Sequence, residues 1–240
     1  MTRDRIYGGK NFYGYELGIL MLNSRFPRGI GDVGNALSYD FPVIFHTVKT
    51  INIQNAVIKP NENLLEPLII GAKSLEEIGV KAITTSCGFL VLYQDAIAKE
   101  LTVPFFSSTL LLIPLIEKIV KNKILIITAN STSLGRNHFR AAGVKNYSRL
   151  IVKGLEGMPE FRRAILRDSQ DMDRYKIGQE VIKVVADALN EDDNIGSILL
   201  ECHNLPPYSE RISREFGLPV FDFFSLVNLI HESFSKRRFI

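Results

Sequence analysis

The chain has 240 residues, 46% of them hydrophobic and 23% charged, which excludes wholesale disorder and leaves room for a packed core. Twenty-nine Lys and Arg against 26 Asp and Glu give a net +3, too little to argue for a nucleic-acid partner. Two Cys exclude a disulfide framework and point to reduced, cytoplasmic thiols.

The start, through Phe12, is polar and carries Arg3, Asp4, Arg5 and Lys10, unlike a signal peptide. The apolar run Thr109–Ile116 falls far short of the roughly 20 residues needed to cross a bilayer, so no membrane partner is expected. Glu16–Leu22 reads as a buried strand ending in Asn23-Ser24, followed by the Gly- and Pro-rich loop FPRGIGDVGN at Phe26–Asn35. Phe41–Val48 is a second strand. Glu62–Gly79 repeats apolar residues at spacings of three and four, a helix with Asn61 as N-cap and Gly79 at its end.

Val80–Ser86 is then a strand, Leu92–Leu101 a helix, Val103–Ser107 a strand and Leu110–Lys121 a helix. Lys123–Ala129 is a buried strand leading into Asn130-Ser131-Thr132-Ser133. Arg136–Ala142 is a short helix and Tyr147–Val152 a strand. Pro159–Arg167 and Arg174–Asn190 read as helices, Ile195–Glu201 as a strand, Pro207–Phe216 as a helix, Pro219–Asp222 as a strand and Phe223–Ser235 as the last helix. Strands alternate with helices, so the class is α/β with mostly parallel sheets. The basic cluster Lys236-Arg237-Arg238 reads as a solvated end.

Two segments align without gaps at an offset of 115 residues, Ala82–Phe106 and Ser197–Phe221, with 8 identities in 25 positions. The only two cysteines coincide, Cys87 with Cys202, and so do Tyr93 and Tyr208. Shared apolar periodicity explains Ile83, Ile97 and Pro104, but not paired Cys and Tyr at strand-to-helix turns. A duplication implies two pseudo-symmetric lobes. Each Cys then lies at the carboxyl end of a parallel strand, where open α/β sheets bind ligands, and the cleft between the lobes holds the active site.

A thiolate and a thiol on opposite faces of a carbon acid can remove and return a proton without a cofactor, with helix N-termini favouring the thiolate. Gly88 admits close backbone approach. Thr84, Thr85, Ser86, His203 and Asn204 add donors, and Asn23, Ser24, Asn130, Ser131 and Thr132 end neighbouring strands that point to the same cleft. Each of these has a plainer reading. The cysteines are small buried residues, His203 is a turn donor, and Asn23, Asn130, Ser131 and Thr132 are helix caps. Asp32 holds its own loop by a side-chain turn bond. His46, His138 and His231 have no constellation and read as structural. Cys87, Cys202 and His203 make a poor zinc site, and no metal is expected.

The motifs TTSCGF at Thr84–Phe89, LECHNLPPY at Leu200–Tyr208 and ILIITANST at Ile124–Thr132 resemble the aspartate/glutamate racemase superfamily. That cofactor-independent group includes hydantoin racemases, maleate isomerases and arylmalonate decarboxylases. The resemblance implies two α/β lobes, residues 1–107 with 220–240 and residues 108–219, with the final helix packed on the first lobe. It also implies a homodimer, with Cys87 and Cys202 as the two bases. Gly88-Phe89 and His203-Asn204 stand where amino-acid racemases of the group have Asn-Thr and Thr-His. Glutamate is therefore not the expected substrate, and Phe89 suggests a more apolar carboxylic acid.

The expectation is an isomerase, a racemase or epimerase acting on a carbon next to a carboxylate or carbonyl. The alternatives are a decarboxylase of malonate-type acids, a cis-trans isomerase, and a non-catalytic carboxylate-binding protein.

Overall fold

The computed structural model describes residues 6–59 and 62–236. The proposed N-cap Asn61 and the basic residues Arg237 and Arg238 lie outside the described residues.

Two four-stranded parallel sheets organise the chain. In the first, β1 (Leu17–Leu22), β2 (Val43–Val48), β3 (Ala82–Thr85) and β4 (Phe105–Phe106) take the order β2-β1-β3-β4. In the second, β5 (Lys123–Thr128), β6 (Leu150–Gly154), β7 (Ile195–Leu200) and β8 (Val220–Phe221) take the order β6-β5-β7-β8. Substituting β5–β8 for β1–β4 converts one order into the other, so the duplication read around the cysteines extends to whole sheets. Every residue of β1 is buried, which suits an unbroken apolar run in a parallel strand covered on both faces.

The helices are α1 (Leu65–Ile78), α2 (Gln94–Ala98), α3 (Ile113–Ile119), α4 (Arg136–Ala141), the single turn α5 (Pro159–Phe161), α6 (Arg174–Glu191), α7 (Ser209–Phe216) and α8 (Phe223–Phe234). Gly79 ends α1 at φ +97°, a left-handed conformation open to glycine. The Asp173 carboxylate starts α6 by accepting from Lys176 N at 3.0 Å. Asp222 and Ser225 cap α8 reciprocally.

Several elements differ from expectation. The helix after Cys87 begins at once, as the 3₁₀ helix Gly88–Tyr93, and becomes α-helical only at Gln94. The helix over Pro159–Arg167 changes into a π turn at Arg162–Leu166. β6 starts at Leu150 rather than Tyr147, because Asn146 Oδ1 accepts from Ser148 N and bends the chain there. β8 pairs with β7, so the second sheet runs through Phe221, past the boundary placed at residue 219. The chain then crosses to the first sheet. The Phe224 ring lies 5.3 Å from Tyr39, and His231 stacks on Phe41 at 3.9 Å. His231 Nε2 lies 2.7 Å from Glu16 Oε2. Among the described residues no helix is long and apolar enough to cross a membrane.

Candidate active site

The turns after β3 and β7 meet at one cavity between the sheets. Cys87 and Cys202 both line it, with 8% and 7% of their surface exposed. Ser24, Phe26, Arg28, Ser86, Gly88, Phe89, Ala129, Glu201, His203 and Asn204 complete much of the wall, with Leu22, Ile53, Val57, Ile165 and Leu166.

Both thiols are held protonated. Burial, reinforced by the Glu201 carboxyl, pushes Cys87 up to about 12. Backbone N–H groups of Phe89 and Leu90 and the Arg28 charge pull the other way. Burial raises Cys202 well above the ordinary thiol range, with Glu201, Cys87 and Asp32 adding to it and the Asn204 N–H opposing. Helix starts do supply donors to sulfur, as expected, but burial outweighs them.

Sequence reasoning passed over Glu201 as a site residue. It is fully buried at the end of β7, and its Oε2 accepts from Thr128 Oγ1 at 2.7 Å. Its Oε1 has no hydrogen-bond partner. Burial raises this carboxyl from 4.5 to about 7. Gly88 makes the space for it, since a Cβ at residue 88 would sit 2.1 Å from Glu201 Oε1. Gly88 thus accommodates a carboxyl of the other lobe rather than only a ligand. The signal in the sequence was one acidic residue closing the apolar run Ile198-Leu199-Leu200.

Arg28, in the Gly-rich loop after β1, is the second omission, and Asp32 in the same loop reaches beyond the role expected of it. Arg28 Nη1 pairs with Asp32 Oδ1 at 2.7 Å, Nη2 donates to Ser24 Oγ at 2.8 Å, and the guanidinium lies 4.3 Å over the Phe26 ring. Asp32 does hold its own loop, accepting from Gly34 N at 2.8 Å. Its other oxygen accepts from Asn204 Nδ2 at 2.8 Å, and Asn204 Oδ1 takes a weak bond from the Cys202 thiol at 3.6 Å. A hydrogen-bonded chain therefore runs from Arg28 to Cys202 across the lobes. The same loop is tied down further. Arg25 N and Phe26 N donate to Asp168 Oδ1 at 2.6 and 3.0 Å, and Arg174 Nη2 donates to Ile30 O at 3.2 Å.

Of the other expected site residues, Ser86, Phe89, His203 and Asn204 reach the cavity. Ser86 Oγ accepts from Leu22 N at 2.9 Å, fixing the ends of β1 and β3 together. Phe89 meets His138 edge-on with centroids 5.1 Å apart. His203 Nδ1 donates to Thr85 O at 3.0 Å, and burial lowers the imidazole to about 4, so it is neutral at physiological pH.

Six expected residues do not line the cavity, among them Thr84, whose hydroxyl donates to Phe106 O at 2.6 Å. Thr85 turns back on the chain, its hydroxyl 2.7 Å from Ser107 O and 2.9 Å from Cys87 O. Asn23 is exposed and donates to Lys49 O at 3.1 Å. Asn130 Oδ1 accepts from the N–H and hydroxyl of Thr132, and Ser131 bonds Glu156 through both its N–H and its hydroxyl. Asn130 and Thr132 instead line a neighbouring groove with Gln54, Glu156 and Arg162. In each case a backbone or local partner claims the polar group that strand-end position alone assigned to ligand.

No protein-family model matches the chain. A dimethylsulfoniopropionate lyase of Durusdinium sp. clade D is 29% identical over 86% of this chain and 71% of its own length. Dimethylsulfoniopropionate lyase 7 of Emiliania huxleyi (strain CCMP1516) is also 29% identical, over 86% of this chain. The chain spans 63% of that relative, under two-thirds of its length. Among solved structures, a glycine-to-cysteine mutant of arylmalonate decarboxylase with sulfate superposes at a TM-score of 0.61 and 15% identity, over 90% of this chain and 93% of that one. A glutamate racemase isoform from Bacillus anthracis gives 0.59 at 13% identity, over 91% of this chain and 82% of that one. The chain has the fold of the aspartate/glutamate racemase superfamily. The expected isomerase class is overturned, because the relatives by sequence are named lyases.

Proposed function

We propose that this chain is a lyase that eliminates a leaving group from the carbon β to a carboxylate, with dimethylsulfoniopropionate, the compound in its relatives' names, as the substrate. The observation that carries the reading is the convergence of Cys87, Cys202 and Arg28 on one cavity between the sheets. A β-sulfonio acid needs those parts. Arg28 offers a fixed positive charge for the carboxylate, which stabilises the negative charge that develops when the α-proton leaves.

One thiol, ionised when substrate fills the cavity, takes that proton. The freed electron pair forms the α,β double bond, the C–S bond breaks, and dimethyl sulfide leaves with the bonding pair. The products are acrylate, dimethyl sulfide and one proton, and no oxidant or reductant is needed. Proton removal by a positioned side chain typically contributes about 10²–10⁴-fold.

Incubating the full chain with dimethylsulfoniopropionate and measuring headspace dimethyl sulfide tests this. Release is expected from the native chain and its loss from Cys87→Ala/Cys202→Ala. No release over buffer, from protein shown folded by circular dichroism, overturns the reading.

A further inference from the structure

We propose that Glu201 is the specificity residue for a cationic onium centre, holding the positive end of a zwitterionic acid whose carboxylate faces Arg28. This rests on the lyase reading for the identity of that acid, but the charge recognition stands on the cavity itself.

Glu201 belongs to the wall of the cavity, is fully buried, and has one carboxyl oxygen satisfied and one not. A buried polar atom without a partner is costly, and the chain has accommodated this one by keeping residue 88 free of a side chain. Arg28 is not its counter-ion: the guanidinium pairs with Asp32 through Nη1 and bonds Ser24 through Nη2, and those two bonds leave further N–H donors on it. The cavity wall thus holds an acidic and a basic residue with separate partners, beside Phe89 and apolar side chains.

An onium group suits the Glu201 end. It has no N–H or O–H to satisfy, so it needs only a nearby negative charge and apolar or aromatic contact. In low dielectric an unscreened carboxylate discriminates strongly between a cation and a neutral group of the same shape. Burial raises the affinity of Glu201 for its proton. Binding a cation there favours the ionised carboxyl and expels that proton.

Two probes of matched shape separate charge from size: 3-(trimethylammonio)propionate and its neutral-headed isostere 4,4-dimethylpentanoate. Calorimetry on the native chain at pH 8 should show the ammonium probe bound at least about tenfold more tightly. At pH 6.5, in two buffers of different ionisation enthalpy, the ammonium probe should release protons and the isostere should not. Glu201→Gln should erase the preference. Equal affinity of the native chain for both probes, no proton release, or a preference retained in Glu201→Gln overturns the assignment.

The proton-release arm needs no variant, so it holds even if Glu201→Gln does not fold. A chain that prefers the ammonium probe yet yields no dimethyl sulfide keeps this assignment and loses the lyase reading. A chain that yields dimethyl sulfide while Glu201→Gln keeps the preference does the reverse.

Discussion

Gly88 and Glu201, from opposite lobes, fill one another's space. A Cβ on residue 88 would stand 2.1 Å from Glu201 Oε1 and 2.7 Å from the Glu201 carbonyl oxygen. The glycine after one cavity-lining cysteine is therefore fixed by the residue before the other.

Gly88→Ala should destabilise the chain by about 1–3 kcal/mol, the usual cost of forcing extra volume into a packed interior. Thermal or denaturant unfolding measures it. Adding Glu201→Ala should restore only part of the loss, because the carbonyl contact remains. Full restoration would mean that the carboxyl alone sets the requirement.

Glu201 also makes stability depend on pH. Its carboxyl rises from 4.5 to about 7 on folding, so the native state keeps a proton that the unfolded chain has already lost. That contribution is complete below pH 4.5 and disappears as pH climbs through 7. His203, lowered to about 4, works in the opposite sense over the lower part of that window, but it is present in both proteins compared. Between pH 4.5 and 7.5, Glu201→Gln should gain about 3 kcal/mol relative to the native chain. Parallel unfolding curves at all pH values would contradict this.

Elimination needs a single proton acceptor. Cys87→Ala and Cys202→Ala should therefore differ, one abolishing dimethyl sulfide release and the other leaving measurable turnover. Equal and complete loss in both would require two obligatory thiols, against the one-base step. Because both thiols are held protonated, the native chain should also react slowly with iodoacetamide at pH 7, and faster as pH rises.

Asp168 has φ +57°, which Asp tolerates better than most residues, and it accepts two N–H groups at the start of the loop that carries Arg28. Asp168→Ala should cost about 1–2 kcal/mol and raise KM for any carboxylate substrate more than it lowers kcat. Asp168→Asn, which keeps an acceptor and tolerates the same backbone, should recover most of the KM. Unchanged KM in Asp168→Ala would separate the loop's attachment from substrate binding.

The sequence exposed what repeats and what is periodic. Paired Cys87 and Cys202 located both turns, and apolar runs such as Lys123–Ala129 located the strands. Direction was not legible. Asn23, Thr85, Asn130, Ser131 and Thr132 end or follow strands as expected, yet their polar groups bind the chain itself. A strand end fixes where a residue lies, while the nearest unsatisfied backbone group fixes where its side chain goes. Glu201 escaped notice because its role depends on a glycine 113 positions earlier in the chain. The reaction class escaped for a chemical reason. Two thiols around a carbon acid fit racemisation, decarboxylation and elimination alike.

The loop that carries Arg28 is fastened at three places to the opposite lobe, through Asp168, Arg174 and Asn204. Opening this loop to a ligand would part those fastenings. If that unlatching is slower than bond cleavage, turnover is timed by drag on a moving strap. Thickening the medium with sucrose should then slow the native chain and spare a variant cut loose at Asp168.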